Sequence, residues 1–72
     1  MTEQELIAGI QLAKEMAEYH ETSRQRTIAS YGTGVRPGWV SEDLAMSEYR
    51  RDQYLDDAKT LEAELEAMYA HS

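Results

Sequence analysis

Three of the four glycines, the only proline and the only tryptophan of this 72-residue chain lie in one stretch, 31-YGTGVRPGWVS-41. Glycine and proline are the residues that most weaken or end a helix. Elsewhere the chain contains only one of them, Gly9. The pattern therefore predicts two long helices joined by a single corner.

The first of these segments has a start signal and a stop signal. Thr2 and Glu5 form the S/T-x-x-E pattern of a capping box, in which the threonine hydroxyl accepts from the Glu5 amide. Gly32 suits the position after a helix, because glycine adopts the left-handed conformation without a Cβ penalty. A helix is predicted over about 3–31, with an apolar stripe that is dense up to Ala17.

The second segment predicts a more regular helix over about 42–70, after a loop over about 32–40. Ser41 is the expected N-cap, and the carboxylates of Glu42 and Asp43 would lie near the positive end of the helix dipole. The helix contains no glycine or proline, and its residues at a rise of 1.5 Å make a rod of roughly 43 Å. A compact monomer of 72 residues cannot bury one side of such a rod.

The predicted fold is all-α, a two-helix antiparallel hairpin that forms a single domain over 1–72. Strand patterns are missing from the sequence, and a short connection joins antiparallel neighbours. One helix–helix interface leaves apolar residues in water, so we expect two hairpins to pair as a homodimer resembling a four-helix bundle. The residues expected in the hairpin core or the dimer core are Leu6, Ile10, Ala13, Ala17, Leu44, Tyr54, Leu55, Ala58, Leu61, Leu65 and Met68.

Composition narrows the expected partners. Fourteen acidic and seven basic residues give a net charge of −7, which opposes contact with nucleic-acid phosphates and anionic membranes over most of the surface. The absence of cysteine excludes disulfides and thiolate metal sites and fits a reducing compartment. The chain has neither a run of about 18 apolar residues nor a signal-peptide pattern. We expect a cytoplasmic protein that does not bind membranes.

The sequence offers little support for a cofactor, a metal or catalysis. Phosphate-binding loops follow a strand and lead directly into a helix, whereas 32-GTG-34 follows a predicted helix and has no lysine beside it. His20 and His71 lie far apart and neither belongs to a Glu-x-x-His pair. No candidate nucleophile has a base beside it in the sequence. We expect a non-enzymatic protein without cofactor or metal.

The corner itself is the best candidate for a binding site. A fold at about residue 36 gathers five of the seven basic residues near one end, together with aromatic residues and methionine, a composition enriched at interface hot spots. The alternative is that Arg24 and Arg51 pair with Glu21 and Glu48 while the aromatic residues pack internally. The expected partner-binding residues are Arg24, Arg26, Tyr31, Arg36, Trp39, Met46, Tyr49 and Arg50.

Three functions are consistent with these residues. The first is a protein-binding inhibitor or adaptor that uses the corner or a helical face. The second is an acidic DNA mimic, whose carboxylates in the second helix occupy the groove of a DNA-binding protein. The third is a nucleic-acid binder that uses the arginines, with Trp39 and Tyr31 stacking on bases. The overall acidity argues against direct binding of nucleic acid.

In size, acidity and predicted hairpin form, the chain resembles small accessory proteins of bacteriophages that bind and disable host factors. Among these it is similar to the helical-hairpin anti-activators that dimerise and block quorum-sensing transcription regulators. The resemblance covers the whole chain at the level of architecture, and no residue role is carried over from it. It implies an inhibitory function that acts on a larger host protein, such as a transcription regulator, in the host cytoplasm.

Overall fold

The computed structural model describes residues 1–32 and 34–71. Within these ranges the chain consists of two α-helices and no strand, α1 over Glu3–Tyr31 and α2 over Gly38–Ala70. The helices pack against each other along their length as an antiparallel hairpin, which confirms the predicted all-α fold. The hairpin is a rod with extents of 56 × 15 × 13 Å. Thr33, which belongs to the glycine-rich segment, and Ser72 lie outside the described residues.

Helix α1 begins and ends at the residues that the sequence indicates. The Thr2 hydroxyl accepts a hydrogen bond from the Glu5 amide at 3.2 Å. At the other end Gly32 has φ of 65°, and its amide donates to the Ile28 carbonyl at 2.7 Å. Only glycine adopts this φ at little cost, so Gly32 ends the helix.

Helix α2 begins at Gly38, four residues before the predicted start, so the predicted loop over 32–40 was too long. Ser41 is therefore not the N-cap. That position belongs to Pro37, which makes no side-chain capping hydrogen bond and whose carbonyl accepts from the Val40 amide at 3.0 Å. The physical reason is burial: the extra turn places Val40 where its side chain is 0 % exposed, and that gain outweighs a serine cap.

The core between the helices is narrow and made largely of small side chains. Its buried members are Leu6, Ala13, Ala17, Val40, Ser47 and Ala58. At Gly9 the helices come so close that an added Cβ would lie 3.0 Å from Cδ1 of Leu61. Small residues at the contact allow this close approach, and they also limit how much apolar surface a single hairpin can bury.

The other predicted core residues lie at the edges of this contact. Six of them are half-buried, namely Ile10, Leu44, Tyr54, Leu61, Leu65 and Met68. Leu55 does not belong to the hairpin core, since it is 45 % exposed. It lies one turn from both Arg51 and Ala58, on a neighbouring stripe of the helix. Val40 is a core residue that the sequence placed beside the turn.

Candidate protein-binding surfaces

An ion-pair cluster centred on Glu21 joins the two helices. Its carboxylate accepts from Arg24 Nη2 on α1 at 2.7 Å and from Arg51 Nη1 on α2 at 2.6 Å. Gln25 donates a further hydrogen bond to it at 2.9 Å. Arg24 also reaches Glu48 at 3.5 Å. The predicted alternative for Arg24 and Arg51 is thus present, and both guanidinium groups are already paired within the hairpin.

The cluster favours the charged forms of its members. Hydrogen bonds from Arg24, Gln25 and Arg51 hold the pKa of the Glu21 carboxyl well below its ordinary value. The carboxylate in turn raises the pKa of both arginines, mainly through the hydrogen bonds that they donate to it. Glu21 is therefore a fixed negative charge that joins two cations.

Apart from the Thr27 hydroxyl, which donates to Asp43 at 3.4 Å, the remaining polar contacts between the helices continue along the same side. Lys14 pairs with Glu62 at 3.0 Å, and the Tyr69 hydroxyl donates to Glu3 at 2.8 Å. Steps of seven and eleven residues return to nearly the same face of an α-helix, so these residues share one side with the Glu21 cluster. We call this side the ionic flank, and it consists of Glu3, Lys14, Glu21, Arg24, Glu48, Arg51, Glu62 and Tyr69.

The opposite side carries a long groove between the helices, which we call the groove flank. Three adjoining hollows of about 320, 440 and 310 Å³ share Tyr54 and Asp57 at one junction and His20 and Arg50 at the next. The His20 and Tyr54 rings stack across the groove floor with centroids 5.7 Å apart. The groove flank consists of Gly9, Leu12, Met16, Tyr19, His20, Ser23, Asp43, Met46, Arg50, Gln53, Tyr54, Asp57, Thr60 and Leu61.

The tip of the hairpin presents a third surface. Tyr31 and Trp39 meet edge to face, with ring centroids 5.4 Å apart and planes at 89°. This contact leaves them 39 % and 55 % exposed, and Val35 in the connection is fully exposed. Arg36 is half-buried beside them in sequence, and within the described residues it has no ion-pair partner. We call Tyr31, Val35, Arg36 and Trp39 the tip surface.

The predicted partner-binding set is therefore divided among several places. Tyr31, Arg36 and Trp39 lie together at the tip, and Arg26 is exposed on the last turns of α1. Arg24 belongs to the ionic flank, whereas Met46 and Arg50 line the groove. Tyr49 is exposed on α2, where its hydroxyl accepts from Gln53 at 2.9 Å.

Sequence reasoning missed part of both exposed surfaces. Val35 had no periodic signal, because it lies in the connection rather than in a helix. Tyr19, which is 64 % exposed on the groove flank, was also missed, whereas Leu12, which is 60 % exposed beside it, was expected to remain in water in a single hairpin. Their spacing of seven residues, with Met16 between them, was the signal that could have revealed a second apolar stripe on α1.

Among residues 1–32 and 34–71, no group of three or more histidine, aspartate or glutamate side chains is arranged to hold a metal ion. Neither described helix is both long and apolar enough to cross a bilayer. Every buried polar side-chain atom in the same residues has a hydrogen-bond partner.

Comparison with known protein families, with curated proteins and with solved structures finds no match for this chain. The functional proposal therefore depends on the surfaces described above.

Proposed function

We propose that this protein is a small non-enzymatic inhibitor or adaptor that binds a larger protein through the tip surface. The observation that supports this most directly is the exposed pair of Tyr31 and Trp39 beside Val35 and Arg36. Tyrosine, tryptophan and arginine are the residues most enriched at protein hot spots. An isolated hairpin gains nothing evident from holding two aromatic rings and a valine in water at its end.

The charges around the tip define the chemistry of the proposed partner. Arg26 and Arg36 have no ion-pair partner in the described part of the chain, while the cations of the Glu21 cluster are neutralised. A complementary site would offer an apolar pocket for the rings and carboxylates for these arginines. The net charge of −7 favours a protein partner over nucleic acid, because the rest of the surface repels phosphates.

The resemblance to phage anti-activators adds a class of target to this proposal, a bacterial transcription regulator whose activity the bound hairpin blocks. The proposal for the tip surface requires only a protein target with the chemistry above.

An affinity pull-down from bacterial lysate tests the proposal with the complete chain and two charge-reversal variants. Arg36→Glu alters the tip, and Lys59→Glu makes the same change on an exposed part of α2, roughly 30 Å from the helix start at 1.5 Å per residue. We expect the wild type and Lys59→Glu to recover the same protein. Arg36→Glu and Tyr31→Ala should lower its affinity about tenfold or more.

Three outcomes would contradict the proposal. Recovery of the same protein by Arg36→Glu and Tyr31→Ala would show that the tip is not the contact. Loss of binding only after neutralisation of α2 carboxylates would instead support the DNA-mimic function. Recovery of RNA without protein would support the nucleic-acid binder.

A further inference from the structure

The two flanks of the hairpin differ in their ion pairs. Among the described residues, every inter-helix ion pair lies on the ionic flank. No described ion pair crosses the groove flank, where Leu12, Tyr19 and Met46 are each at least half accessible to water. We propose that a second copy of this chain covers the groove flank, lying antiparallel and groove to groove about a two-fold axis level with Gln53 and Tyr54.

The size of the groove flank fits this occupant. A side of a rod with extents of 56 × 15 Å covers on the order of 800 Å², which is the area that each partner buries in a standard stable interface. A symmetric homodimer also uses the same surface on both chains. No further protein is then needed to remove these residues from water.

The overlap of two such rods determines where the axis passes. The longest contact between antiparallel copies places the axis at the middle of each helix. That middle lies within one residue of Tyr54 in α2, which spans Gly38–Ala70, and of Ala17 in α1, which spans Glu3–Tyr31. We place the axis between Gln53 and Tyr54 on α2 and between Ala17 and Glu18 on α1. In a two-fold arrangement, residues equally far from the axis on opposite sides face each other across the interface.

The charges on α2 are complementary in this register. Arg50 and Asp57 both line the groove, lie on either side of the proposed axis and have no ion-pair partner among the described residues. The axis places Arg50 opposite Asp57 of the second copy, and the symmetry repeats the pair. One interface therefore gains two salt bridges from two charges that a lone hairpin leaves unpaired.

The apolar residues match in the same register. On α1, Met16 lies opposite Tyr19 of the second copy, and the symmetry again repeats the contact. On α2, Met46 lies opposite Leu61 of the second copy. Methionine adapts to irregular gaps and makes favourable contacts with aromatic rings. Apolar pairs thus lie close to the two charge pairs, as expected for an interface core.

One pair across the proposed interface is unfavourable, so removing one of its charges should strengthen the dimer. Asp43 and Glu64 continue the seven-residue spacing of Arg50 and Asp57, so the same axis brings Asp43 near Glu64 of the second copy. These carboxylates lie toward the ends of the interface, where water screens them. Glu64→Gln is therefore expected to tighten the dimer about twofold to fivefold.

Charge exchange between Arg50 and Asp57 tests the proposed register. Sedimentation equilibrium of the complete chain should show a dimer at about 10 μM, typical of a stable interface of this size. Arg50→Asp alone and Asp57→Arg alone should each weaken dimerisation about tenfold or more, because like charges then face each other twice. The double variant should restore the affinity to within about threefold. Circular dichroism serves as the control that each variant is still helical.

Two results would overturn the inference. A helical wild-type monomer at about 100 μM would show that no copy covers the groove at a useful affinity. A double variant as weak as the single variants would show that Arg50 and Asp57 do not face each other across the interface. Glu64→Gln that weakened the dimer would also contradict the register.

Spin labels at the tip provide an independent measurement of orientation. The chain has no cysteine, so Val35→Cys creates one fully exposed labelling site. Antiparallel copies place the two labels at a separation comparable to the 56 Å length of the rod. Parallel copies would bring them within about 25 Å, or two helix diameters, and would refute the arrangement.

The proposed dimer does not depend on the proposed function of the tip. Tyr31, Val35 and Arg36 lie outside the contact, and only Trp39 lies at its edge. Arg36→Glu should therefore leave sedimentation unchanged, while Arg50→Asp should leave the tip of each hairpin intact. Failure of one proposal is thus distinguishable from failure of the other.

Discussion

Glu21 is the residue on which the polar contact between the helices most depends. It accepts from Arg24 on its own helix and from Arg51 on the other. Both arginines keep their charge at any pH of interest, so protonation of Glu21 removes the negative charge that joins them.

The lowered pKa of Glu21 predicts a specific pH dependence. A carboxyl group whose pKa is depressed by folding stabilises the folded state above its unfolded pKa, and this contribution is lost as pH falls toward the folded pKa. Glu21→Gln should therefore lower the urea midpoint at pH 7, and the difference from wild type should shrink as pH falls below the ordinary value of 4.5. Urea unfolding followed by circular dichroism at several pH values measures this.

Glu18→Gln is the matched control, because Glu18 is exposed on the same helix and has no ion-pair partner in the described part of the chain. Its urea midpoint should stay close to wild type across the same pH range. An equal loss of stability in both variants at pH 7 would assign the effect to net charge rather than to the cluster.

Gly9 is the second residue with a measurable individual role. A Cβ at this position would lie 3.0 Å from Cδ1 of Leu61, the mobile end of a side chain beside an open hollow of about 320 Å³. We expect Leu61 to move aside, so Gly9→Ala should raise the free energy of unfolding by up to about 1 kcal/mol through helix propensity. Gly9→Val, which is larger and β-branched, should lower it. Destabilisation by alanine in urea unfolding would show that the contact is rigid.

At the level of elements, the two helix starts differ in how they are capped. Thr2 makes the capping hydrogen bond of α1, whereas Ser41 lies inside α2. Thr2→Ala should cost about 1 kcal/mol of unfolding free energy, and Ser41→Ala should change it by less than about 0.5 kcal/mol. Thermal unfolding of the two variants compares them directly. A larger loss at Ser41 would place the start of α2 later than Gly38.

The first turn of α2 depends on Val40 for its attachment to α1. The side chain is 0 % exposed, and Val40→Ala should lower the free energy of unfolding by about 2 kcal/mol through lost burial and the remaining cavity. Val35→Ala makes the same change at a fully exposed position and should have almost no effect. Urea unfolding measures both, and equal losses would be inconsistent with packing of the first turn.

The elements show why the sequence predicted the helices better than their ends and surfaces. The ends of α1 followed from local chemistry, since Thr2 and Gly32 act within a few residues. The start of α2 did not, because the burial of Val40 depends on a helix distant in sequence. The tip surface was predictable only in part, since a residue such as Val35 belongs to no periodic pattern. The two flanks could not be predicted, because they depend on how the two helices are aligned against each other in the fold.

For the whole molecule, the proposed dimer predicts that thermal stability depends on protein concentration. A partner that binds only the folded state raises stability by mass action. The melting temperature of the wild type should therefore rise measurably for each tenfold increase in concentration, and that of Arg50→Asp should rise less. Thermal unfolding followed by circular dichroism over two decades of concentration measures this. A constant wild-type value would argue against self-association.

Because the described inter-helix ion pairs all lie on the ionic flank, added salt affects the two sides of the hairpin differently. The screening length in water falls from about 10 Å at 0.1 M salt to about 3 Å at 1 M. The ion pairs on the ionic flank therefore weaken as salt is added. Contacts between apolar side chains are not weakened in this way. In concentrated salt, the apolar contacts between copies would therefore contribute a larger fraction of the stability of each hairpin, and folding would depend more on assembly than it does in dilute buffer.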